Sequence, residues 1–144
     1  MIQFLRFLAG IAAGMAVAFA MVILVEIYSG KVHPLPPDLE HSMEVMCAHV
    51  EAYPSWVLAT VVPMWGLTAF AGASVAGIVG SRMSSIVLGV LILGLLLFNL
   101  LMLPYPTWFK VVMPIMALAG LVLGTKPGSK MRFSTSAIAD TKDP

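Results

Sequence analysis

Apolar residues run through this chain in four long stretches broken by short polar interruptions, and the length of each stretch matches a lipid bilayer. A helix crossing about 30 Å of hydrocarbon needs roughly 20 predominantly apolar residues. Four intervals fit, at about 4–27, 54–80, 84–103 and 107–125. Between Arg6 and Glu26 every residue is apolar or glycine, and the second interval is bounded by Glu51 and Arg82. The third stops at Pro104, Tyr105 and Pro106, where two prolines remove backbone donors and restrict the residues before them. The fourth has a short uncharged core, 111–125, so Lys110 and Lys126 are expected to carry their ammonium groups out to opposite interfaces. A cleaved leader is the competing reading of the first interval, because Ala18, Phe19 and Ala20 have the small-x-small form of a cleavage site. The apolar run continues past that site to Val25, which suits an anchor better.

One polar insert, 28–53, separates the first two spans. Its prolines, Pro34, Pro36 and Pro37, predict an extended, stiff segment over 30–37. A helix is predicted over about 38–53, capped by Asp38 and stopped by Pro54. At 100° per residue Leu39, Met43, Met46 and Val50 form one stripe with Tyr53 near its edge, which makes this helix amphipathic. The expected fold is therefore an all-α integral membrane protein. Residues 1–125 form a four-transmembrane-helix bundle with an extracytoplasmic amphipathic helix between spans 1 and 2, and 126–144 form a polar cytoplasmic tail.

Composition agrees, with 60% apolar and 10% charged residues, where an average soluble domain carries roughly 25% charged. The distribution of cations sets the expected orientation. Arg6, Arg82, Lys126, Lys130, Arg132 and Lys142 fall on one side of a four-span topology and only Lys31 and Lys110 on the other. The cation-rich side is cytoplasmic by the positive-inside rule, so both termini lie inside and the insert outside, with a bacterial inner membrane the expected location. Tyr28, Tyr53, Trp56, Tyr105 and Trp108 all fall at the outer ends of spans, where interfacial aromatics belong.

Small residues recur at four-residue steps: Gly10, Gly14 and Ala18; Gly72, Ala76 and Gly80; and Gly120 and Gly124. In a bilayer such stripes let helix backbones approach. Packing within the bundle is the favoured reading, and a partner subunit or second copy against Gly72, Ala76 and Gly80 is the other. Pro63 and Pro114 bend spans two and four.

Candidate chemistry is confined to few residues. Glu26, Asn99 and Trp65 are the polar groups in or near the spans that could form an ion or polar site, although Glu26 lies close enough to Tyr28 to reach the headgroups. In the insert Glu40, Glu44 and Glu51 share an arc with Cys47 at its border, and His41 with Glu44 could clip a metal. His49 points away from both, and no H-E-x-x-H or second cysteine supports a tight site, so a solvated face is the favoured reading. No catalytic residue is assigned. The chain lacks a G-x-S-x-G elbow, and Cys47 and His49 face different directions on a helix. No cofactor is expected either: the spans contain no histidine for haem, and a lone cysteine forms neither an internal disulfide nor a dithiol couple. A net charge of +1 argues against nucleic acid as a partner.

Two functions remain in view. The favoured one is a non-enzymatic accessory, assembly or oligomer-forming subunit that contacts other membrane-protein subunits through its small-residue faces and outer helix. The alternative is a carrier or channel for a cation or small solute, with Glu26 and the stripe of Glu40, Glu44 and Glu51 at its outer mouth.

Overall fold

A computed structural model describes residues 1–34 and 42–126. Over these residues the chain forms five helices: α1 (Ile2–Val32), α2 (Met43–Glu51), α3 (Ser55–Val79), α4 (Arg82–Met102) and α5 (Thr107–Gly124). Four of them, α1, α3, α4 and α5, are long and apolar enough to cross a membrane. They pack as a bundle, with short α2 between the first and second spans. The protein is an integral membrane protein, and its surface fits that solvent: Phe19, Val90, Leu101 and Ile115 are all more than half exposed, facing where lipid would be.

The helix ends follow from local chemistry. Pro54 and Pro106, both in extended conformation, stand immediately before α3 and α5, and their carbonyls accept the first-turn N–H groups of Val57 and Phe109 at 3.0 Å. Between α3 and α4 the turn is only Gly80 and Ser81. Ser81 caps α4 in a reciprocal box: its hydroxyl accepts from Ser84 N–H at 3.3 Å, while Ser84 Oγ accepts from Ser81 N–H at 3.1 Å.

Two boundaries differ from expectation. α1 runs on through Gly30 and Lys31 to Val32, where the sequence predicted extended chain from residue 30. Its hydrogen-bond ladder closes with His33 N–H donating to the Ser29 carbonyl at 2.8 Å, and the local proline, Pro34, lies beyond the last bond it could break. α2 starts at Met43, capped by the Ser42 hydroxyl accepting from Val45 N–H at 3.3 Å, rather than at the predicted Asp38 cap. Asp38, Glu40 and His41 lie outside the described residues, as does the tail beyond Lys126.

α3 is the hub, packed along α1 on one side and α5 on the other, with a smaller contact to α4. The small residues explain why. A Cβ on Gly10 would stand 2.5 Å from Gly80 Cα, and one on Gly14 would stand 2.6 Å from the Gly72 carbonyl oxygen. Across the other face, a Cβ on Gly120 would collide with the Gly66 carbonyl, and one on Gly124 would sit 2.6 Å from the Phe70 carbonyl oxygen. Helices that close exclude everything but backbone, which is what association without a hydrophobic driving force requires. The stripe of Gly72, Ala76 and Gly80 therefore faces α1. Serine hydroxyls add to the same end of the bundle: Ser84 Oγ donates to the Phe7 carbonyl at 3.1 Å and Ser85 Oγ to the Ala73 carbonyl at 2.6 Å. Fully buried hydroxyls in an apolar interior need such partners.

Candidate functional site

At the opposite end of the bundle, beneath α2, the packing opens into a cavity of about 560 Å³. Its floor is buried side chains of α3 and α5: Leu58, Val61, Phe109 and Met113. Its exposed lining residues belong to α1 (Glu26), α4 (Leu95, Phe98, Asn99 and Met102) and α2 (Met43 and Met46), so the mouth lies between α1 and α4 with α2 overhead. The opening exists because α1 and α4 meet through the Gly14 notch, where Leu88 sits, and through Ser84, all toward the other end. Near α2 the bulky Leu95, Phe98 and Met102 replace the small residues that would let the two helices close.

Glu26, Asn99 and Trp65, separated by up to 73 positions in the chain, line this one cavity. Among the described residues Glu26 is its only carboxylate, and no lysine or arginine lines it. Glu44 and Glu51 are exposed on α2 and do not line it. His41 and Glu40 lie outside the described residues, and among the described residues no three His, Cys, Asp or Glu side chains converge as a metal site.

The roof is held by a cluster that sequence reasoning did not assemble. His33, at the end of α1, stacks on His49 of α2 with ring centroids 4.4 Å apart, and both rings pack on Tyr53 at 4.5 and 5.2 Å. Tyr53 hydroxyl shares a hydrogen bond of 3.3 Å with Ser29 Oγ, and Tyr28 hydroxyl one of 2.9 Å with Thr60 Oγ1. These bonds fasten α1 to the α2–α3 connection through Tyr53 and to α3 itself through Thr60. His33 Nε2 is buried without a hydrogen-bond partner. Burial, and secondarily the neighbouring His33, lowers the pKa of His49, so the stack favours the neutral imidazole. Burial pushes the Tyr105 hydroxyl up to about 12, with Tyr53 and Glu26 adding to the shift. Tyr105 therefore lines the cavity as a neutral donor, in the same wall as Glu26. A signal for part of this cluster was present: His49 and Tyr53 are four residues apart, hence on one helix face. Nothing in the spacing announced His33, which reaches them across the segment 35–41.

What the arrangement offers is a partly open, mostly apolar, aromatic-rich space whose described lining has one acidic group, one amide and phenolic donors. Sites for small molecules have this form, with volumes of roughly 300–1,000 Å³. No family model matches the chain, and no similar curated protein or solved structure was found.

Proposed function

We propose that this polytopic membrane protein is a non-enzymatic carrier or channel for a cation or small solute, taken up in the cavity beneath α2. The observation that carries the reading is the convergence of Glu26, Asn99 and Trp65 on a ligand-sized space with no lysine or arginine among its described lining residues. An ionisable residue within a span is costly unless it does something, and substrate or ion handling is the commonest reason for one. The excess of cations on the far flanks supports a topology in which the cavity opens on the extracytoplasmic side of a bacterial inner membrane.

Uptake of labelled methylammonium into proteoliposomes tests it. Wild type is expected to exceed empty liposomes, and Glu26→Gln, which keeps the shape and removes the charge, is expected to cut uptake by about tenfold or more, the loss of about 1.4 kcal/mol. Equal uptake by both proteins, or by neither, rules the reading out.

A second reading keeps the accessory or oligomer-forming subunit. It is supported by the free flank of α2, where Glu44, Ala48 and Glu51 are exposed on a helix that touches the bundle only lightly. The glycine faces no longer contribute to it, because they meet each other inside the bundle.

A further inference from the structure

Resting on the cavity reading above, the chemistry of the wall narrows what the cavity takes. We infer that its ligand is a lipophilic organic monocation of the quaternary or alkylammonium class, with its charged head at Glu26 and its apolar part on the α3–α5 floor. The wall offers one carboxyl group at Glu26 and one amide at Asn99, against a lining otherwise dominated by aliphatic, aromatic and thioether groups. A metal ion or a hydrated alkali ion would have to exchange its shell for six or so converging oxygens, whereas the Ser29 and Tyr53 hydroxyls in the wall are already bonded to each other and no three His, Cys, Asp or Glu side chains converge among the described residues. An anion would meet the Glu26 carboxylate with no lysine or arginine among the described lining residues to offset it.

A quaternary ammonium asks for much less. Its charge is spread over C–H groups that hold water weakly, so entry costs little desolvation, and aromatic faces attract it by roughly 0.5–2 kcal/mol each. Trp65, Tyr53, Tyr105 and Phe109 supply such rings around the cavity, and a single carboxylate balances a single positive charge. Methionines from α2, α4 and α5 complete the wall with flexible, polarisable side chains suited to an apolar body of variable shape. The mouth between α1 and α4 carries Glu26 and Asn99 themselves, so an incoming head meets its counter-charge at the entrance while its tail advances to the buried Leu58, Val61 and Phe109.

Equilibrium dialysis of labelled phenyltrimethylammonium against the full chain in nanodiscs tests this, with empty nanodiscs subtracted. Saturable binding is expected. It should weaken about tenfold in Glu26→Gln and stay unchanged in Glu44→Gln, whose site lies outside the cavity. On wild type, tert-butylbenzene, which has the same shape without the charge, should displace the probe poorly. Equal affinity in wild type and Glu26→Gln, or efficient displacement by the neutral isostere, overturns the cation assignment and leaves the cavity as a solute site. Absence of saturable binding while methylammonium uptake persists overturns the lipophilic class alone. Loss of both overturns the inference together with the function it rests on.

Discussion

Protonating His49 puts a positive charge against a second imidazole 4.4 Å away in a partly desolvated stack. Because the docked state lowers the His49 pKa, the undocked helix takes up the proton first as pH falls below the ordinary value of about 6.5. The contribution of His49 to docking of α2 is thus fully present above that pH and is lost progressively between it and the lowered value. The native Cys47 on α2 provides a place to look. A nitroxide attached there should be immobile at pH 8 and mobile at pH 5.5, and His49→Gln should flatten the change. A pH-independent spectrum in wild type would show that the stack does not control the roof. At this scale the sequence was only partly legible. Glu26, Asn99 and Trp65 stood out because polar groups are rare in spans, whereas His33 and Tyr105 acquire their roles from neighbours distant in the chain.

Among the elements, the spans were the most legible, since length and absence of charge determine them almost alone. Their ends were less so. The prolines at 34, 36 and 37 suggested an early stop for α1, but a proline disturbs only the residues just before it, and the ladder persists to Val32. The glycine stripes were visible as stripes, yet which helix each would meet depended on topology. That assignment makes a prediction about α5. Gly120→Leu forces side-chain atoms into the Gly66 carbonyl and the α3 backbone, which cannot yield as a flexible side chain would, and should destabilise by about 1–3 kcal/mol or more. Gly94 meets nothing within 4 Å of its Cβ position, so Gly94→Ala should be harmless. Thermal unfolding followed by circular dichroism in detergent compares the two, and an equal loss in both would mean that α5 does not pack on α3 through its glycines.

For the molecule as a whole, all five helices contribute to the described lining of the cavity. A solute-handling role therefore asks for no partner, and the protein extracted in mild detergent is expected to be a monodisperse monomer that retains probe binding. Recovery of a defined complex, with probe binding absent from the isolated chain, would favour the subunit reading instead. Light scattering on the eluting peak, together with cross-linking in native membranes, distinguishes these outcomes.

The two ends of the bundle are built from different materials. At one end α4 is pinned by the hydroxyls of Ser84 and Ser85 and by Leu88 in its notch, and at the other it leans on side chains around a void. α1 stays fastened to α3 there through Tyr28 and Thr60. A swing of α4 would thus work like a pair of tongs, with a fixed jaw of α1 and α3 and a rivet near Ser85, and would have to slide the buried Leu96 and Leu100 across the core. From the rivet to Met102 the arm is about 25 Å long at 1.5 Å per residue, so a swing of about 5° parts the tips by roughly 2 Å. That is enough to admit a methyl group more or less, while the riveted end stays shut.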